Sequence, residues 1–145
     1  MPEKSNLALY VVLADLHVYE LKAHNFHWNV RGPQFYTLHE KTQMAYELFA
    51  TIYDDLAERI IQLEGKPLVT LQAIIAKTRI KEVEQNKFTA NEVINAMISD
   101  YLYIHAQMKE LAALSENDVT TSAYAQEKIA LFEKELWMLR AHLEN

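Results

Sequence analysis

The chain divides into long stretches in which apolar residues recur every three or four positions, the period of an α-helix. Leu7, Val11, Ala14, Val18, Leu21 and Trp28 form the first stripe, which runs to Arg31-Gly32-Pro33, a stop and then a turn. Leu9, Leu13 and Leu16 widen its apolar sector beyond what a surface helix needs, and a subunit interface would cover the excess. Thr37-Leu38-His39-Glu40 reads as a capping box for a second helix. Ala45, Phe49, Ile52, Leu56, Ile60 and Leu63 carry that helix to Gly65, with Pro67 just beyond. Thr70 caps a short helix through Ala76, and Lys77 to Lys87 reads as a polar connection. A second box, Thr89-Ala90-Asn91-Glu92, opens a helix to about Leu114 with Ile94, Met97, Tyr101, Ile104, Met108 and Leu111 on its stripe. The last helix, Asp118 to Leu143, carries Ala125, Ile129, Phe132, Leu136 and Leu139. The expectation is an all-α, ferritin-like four-helix bundle in a single domain spanning 1–145, with a short helix in the long connection between helices two and three.

Composition narrows the classes of function. In 145 residues there are only 2 Gly and 3 Pro, too few for the turns of an all-β or alternating β/α fold, and no Cys, which excludes a disulfide scaffold. Fourteen basic against twenty acidic residues give a net charge of −6, opposite to the footprint of a nucleic-acid binder. The longest apolar run, Leu7 to Ala14, is well short of the roughly 20 residues that span a bilayer, and MPEKSN carries no signal peptide. A cytoplasmic protein that does not enter the membrane is expected.

Chemistry is suggested by one face of the second helix. At 100° per residue, with His39 at zero, Gln43 falls at about 40°, Asp54 at about 60° and Glu58 at about 100°. His39 and Asp54 are nevertheless 15 residues, hence ~22 Å, apart along the axis, too far to share one ion. Two antiparallel copies meeting about a two-fold axis near Leu48 and Phe49 would bring His39 and Gln43 of one chain level with Asp54 and Glu58 of the other. His27 joins them through the turn at Arg31-Gly32-Pro33. Mixed imidazole and carboxylate donors suit iron, with zinc or manganese as competitors. Each residue also has an ordinary role open to it: His39 as an exposed first-turn residue, Asp54 and Glu58 as a solvated face, His27 as a satisfied core histidine. His17, His24, His105 and His142 lack partners at useful spacing and are read as structural, and the five Met residues as packing.

AHNFHWNVRGPQFYTLHEK, Ala23 to Lys41, and YDDLAERIIQLEGKPLVTL, Tyr53 to Leu71, resemble the Dps miniferritins, the DNA-protection-during-starvation family, and the likeness extends over nearly the whole chain. The resemblance implies ferroxidase centres made by His27, His39, Asp54 and Glu58, shared between two-fold-related subunits of a twelve-subunit hollow shell. It implies oxidation of Fe²⁺ by hydrogen peroxide or dioxygen, storage of ferric mineral, and Trp28 as part of the wall of the centre. Gln43 stands where many members carry a carboxylate, which weakens the expected second iron position. The resemblance further implies acidic iron-entry pores from Asp118 and Glu127, with Glu116 nearby, although Asp118 is equally suited to a helix cap. The Lys/Arg-rich tail by which members bind DNA is missing: Lys4 alone precedes the first helix, and the chain ends at Arg140-Ala141-His142-Leu143-Glu144-Asn145. Direct DNA binding is therefore expected to be weak. The short N-terminus and the HNFHWNV and LVTL segments most resemble the neutrophil-activating branch, which raises a host-interaction role. A non-enzymatic DNA-compacting protein and a purely structural or signalling bundle are the competing readings.

Overall fold

The computed structural model describes residues 3–144; Met1, Pro2 and Asn145 lie outside the described residues. Five helices form in the order α1 (Glu3–Asn29), α2 (Phe35–Gln62), α3 (Leu71–Lys77), α4 (Ala90–Leu114) and α5 (Val119–Leu143). The four long helices make the bundle and α3 interrupts the crossover from α2 to α4, as the hydrophobic pattern predicts. Lys4 sits inside the first turn of α1 rather than ahead of it.

Several helix starts are set by side chains identified in the sequence. Thr70 accepts from the backbone N–H of Ala73, Thr89 and Glu92 close a complete capping box, and Asp118 accepts from the N–H of Thr121. The box expected at Thr37 does not form. Thr37 lies inside α2, which begins at Phe35 after Gln34, a residue that makes no side-chain cap. The turn itself starts the helix: Gly32 adopts φ +115°, which L side chains rarely adopt, and its carbonyl accepts from the N–H of Phe35.

α1 packs most extensively on α2, and α4 on α5, while α1 also meets α3 and α4. Long side chains close the remaining side of the bundle, through the Lys41–Glu135 ion pair, the Arg59–Asp118 pair at 2.9 Å, and Phe49 against Phe132. With neighbours on several sides, α1 buries Leu9, Leu13 and Leu16 completely within the protomer, so its wide apolar sector needs no second subunit to explain it. Of the stripe expected to face the core, Val11, Ala14 and Val18 are buried, whereas Leu7, Leu21 and Trp28 are half-exposed or more. At the centre, Tyr19, Phe49, Tyr101 and Phe132 pack edge to face and stacked, filling the middle of the bundle with aromatic rings.

The crossover is fastened at both ends. Asp15, 1% exposed, accepts from the Thr78 hydroxyl at 2.8 Å, the Arg79 N–H at 2.8 Å and the Tyr103 hydroxyl at 2.7 Å. Burial, and after it the neighbouring Asp15 carboxylate, pushes the Tyr103 hydroxyl far above its ordinary pKa. At the other end Phe88 and Val30 form a parallel bridge, with Arg31 N–H donating to Phe88 and Phe88 N–H to Asn29. The Asn25 amide donates to Val83 and Gln85. The last turn of α1 and the turn into α2 are thus held against a distant part of the chain.

Candidate metal centre

That fastening fixes two histidines. His27 lies in the last turn of α1 and His39 early in α2, and their rings stack with centroids 3.6 Å apart and planes 15° apart. His27 Nδ1 lies 2.6 Å from the carbonyl of His39, and His39 Nδ1 lies 2.8 Å from the carbonyl of His27. A carbonyl oxygen only accepts, so both Nδ1 atoms carry a proton, and Nε2 is the nitrogen that in the neutral ring offers a lone pair to a cation. Thr42, fully buried, stands 3.3 Å from His27 Nδ1 and donates its own hydroxyl to Leu38, an arrangement that supports the ring from behind. Burial first, then the adjacent His39 and His24, holds His27 below the ordinary imidazole pKa against the opposing His39 hydrogen bond and Glu47 charge, so it is neutral at pH 7. His24, read as structural, lies at the edge of this group, with its Nδ1–H donated to Glu20 and its ring stacked on Tyr46 at 3.8 Å.

Asp54 and Glu58 occupy successive turns near the other end of α2, both exposed. The charge of Asp54 first, then a hydrogen bond between the two, raises the Glu58 carboxyl above its ordinary value. Two crowded carboxylates of this kind gain from a cation between them. The imidazoles and these carboxylates are not brought together within the protomer, and among the described residues no three His, Asp or Glu side chains gather to hold a metal ion. Within one protomer the imidazoles therefore stand toward one end of α2 and the carboxylate pair toward the other.

Trp28, the expected wall residue, is 57% exposed beside His24 and walls nothing within a single protomer. Gln43 is exposed, and its Nε2 donates to Glu47 at 3.1 Å. Asp118 takes the capping role: it accepts from Thr121 and pairs with Arg59. Although burial raises its pKa, these bonds and the Arg59 charge hold it below the ordinary carboxyl value. Glu127 is exposed, beside the ammonium of Lys128 at 3.2 Å. Thr42, Tyr46 and Glu47 escape the sequence reading. For Glu47 the signal was available, since the same helical arithmetic puts it at about 80°, between Asp54 and Glu58.

A family model described as a ferritin-like domain matches residues 6–145. The chain is 44% identical over 132 residues to a DNA protection during starvation protein of Helicobacter pylori, with 90% of this chain and 92% of the relative covered. The crystal structure of Helicobacter cinaedi CAIP superposes with a TM-score of 0.94 at 38% identity, covering 97% of this chain and 99% of the other. A DPS protein of Vibrio cholerae O1, described as a member of a broad superfamily of ferritin-like diiron-carboxylate proteins, superposes with a TM-score of 0.93 at 28% identity, covering 98% and 90%. The fold and the family match define a ferritin-like protein. Within that class, the chain belongs to the Dps miniferritins.

Proposed function

We propose that the protein is a ferroxidase and iron-storage miniferritin whose centres lie between two-fold-related subunits. The observation that carries this reading is the separation along α2: two imidazoles with Nδ1 committed and Nε2 free, and a crowded carboxylate pair that only a second antiparallel copy can bring to them. Fe²⁺, the substrate, is held by His27 and His39 of one chain with Asp54 and Glu58 of the partner subunit. Two Fe²⁺ give one electron each to hydrogen peroxide, which takes up two protons and leaves as two waters. Dioxygen is the alternative oxidant. Delivering both electrons together avoids release of hydroxyl radical, and DNA is protected by that route. Zinc and manganese compete for the same donors.

The two-fold dimers build a dodecameric shell in which ferric product collects, and Trp28 becomes part of the wall of the centre on dimerisation. Iron enters through acidic pores to which Glu127 and Asp118 contribute, with Asp118 partly neutralised by Arg59. Among the described residues no helix is long and apolar enough to cross a membrane, in keeping with work in the cytoplasm. With −6 per chain, twelve chains sum to 12 × −6 = −72, which opposes direct DNA binding and disfavours the compaction reading. The deciding experiment is anaerobic Fe²⁺ titration and then peroxide addition, comparing wild type with Glu58→Ala. Rapid oxidation in the wild type and its loss in the variant are expected, and an equal rate in both overturns the proposal.

A further inference from the structure

The histidine half of the centre contains only neutral donors: His27, His39 and the Gln43 amide. Two Fe²⁺ ions bring +4 to a site where the partner's Asp54 and Glu58 supply −2, so an added anionic oxygen on this side would favour the second ion. Glu47 is the acidic group the fold places there. It lies two turns beyond His39 on the same face of α2, its carboxylate accepts from Gln43 Nε2 at 3.1 Å, and its charge reaches His27. Helical side chains lean toward the N-terminus, so the Glu47 carboxylate covers the turn occupied by Gln43 rather than its own. The bond also orients the amide. Because a carboxylate only accepts, Gln43 turns its nitrogen to Glu47 and keeps its carbonyl oxygen free.

Building on the intersubunit centre proposed above, we infer that Glu47 is a ligand of the second divalent cation, acting with the Gln43 carbonyl oxygen as a neutral co-ligand. The acidic function is displaced by one helical turn, and the Gln43 amide holds the carboxylate in place. Glu47 is exposed in the protomer, so removing its charge leaves the bundle core untouched.

The test is anaerobic Co²⁺ titration of the assembled protein, read by calorimetry and by the visible absorption of bound Co²⁺, with helicity and assembly size checked for each variant. Wild type is expected to bind two ions per centre. Glu47→Gln is expected to keep the first ion at unchanged affinity and to weaken the second at least ~10-fold, the lower end of the cost of removing a group that supports a metal site. Gln43→Asp combined with Glu47→Gln returns the charge to the neighbouring turn and is expected to restore the second ion. Two ions bound equally well by wild type and Glu47→Gln, or one ion per centre in the wild type, overturns the inference while the centre stands. Binding indifferent to both Glu58→Ala and His39→Ala removes the centre itself, and the role of Glu47 with it.

Discussion

His27 and His39 each donate a ring N–H to the backbone carbonyl of the other, although twelve residues separate them in the chain. This reciprocity orients both rings before any cation arrives, and it separates their structural work from their chemistry. Asn in place of His39 keeps an N–H near the Nδ1 position but has nothing at Nε2. His39→Asn is expected to unfold within ~1 kcal/mol of wild type, the scale of one hydrogen bond. Its Fe²⁺ affinity is expected to fall by more than the ~10–100-fold that loss of a supporting group costs. Urea unfolding and anaerobic titration measure the two effects, and full iron binding by the variant would return His39 to a purely structural role.

On the proposed arrangement, splitting the donors between two chains makes defective subunits complementary. A dimer of one His39→Ala chain and one Glu58→Ala chain has one centre lacking both groups and one intact. When the two variants are unfolded together in equal amounts and reassembled at random, half the dimers are mixed and each has one good centre of two. About a quarter of wild-type ferroxidase activity is expected, from two proteins that are each inactive alone. An inactive mixture excludes the intersubunit arrangement.

Asp15 holds three donors in a buried site. Asp15→Ala leaves the Arg79 N–H and the Tyr103 hydroxyl without their acceptor and is expected to cost about 3–5 kcal/mol. It should also speed proteolysis between residues 78 and 88, where the crossover loses its fastening. Denaturant unfolding and limited digestion measure the two effects.

The pH dependence of stability is expected to show Asp118. Its folded pKa is held below its unfolded value of about 3.8. The unfolded chain therefore binds the proton first, and the contribution of the charge is full above that pH and lost as pH falls through the folded value. Asp118→Ala is expected to cost about 1–2 kcal/mol at pH 7, the upper range for a helix cap, with the gap narrowing below pH 4. Chemical unfolding at the two pH values checks the sign.

The assembled protein is expected to leave duplex DNA unretarded in a gel at about 150 mM salt, because the net charge of −6 per chain repels phosphate. Retardation that weakens steeply with added salt and survives His39→Ala would support direct compaction instead.

Helix number, order and most starts were legible because Thr70, Thr89 and Asp118 cap with their own side chains. Thr37 misled because α2 begins from backbone geometry at Gly32, and a polar residue three before Glu40 matches a box without being one. The two stripes of α1 were partly exchanged because a helix with neighbours on several sides has no single apolar face to read. For the proposed metal centre, spacing on one helix pointed to the shared face of α2 and, through the distance along it, to a second chain. The reciprocal histidine bonds and the support from Thr42 were invisible, since both depend on a turn that folds α1 against α2. Glu47 shared the readable face but lies outside the histidine and D-x-x-x-E pattern, so nothing in the spacing of those motifs singled it out.

The distance between the two ends of α2 also governs timing. On the proposed arrangement a newly made subunit holds every group the reaction requires and is inert toward iron, since no ion can span the gap. Redox competence arrives only when a mate docks, so orphan chains pose no oxidative hazard while the shell is being built, and subunit concentration becomes a safety catch on the chemistry.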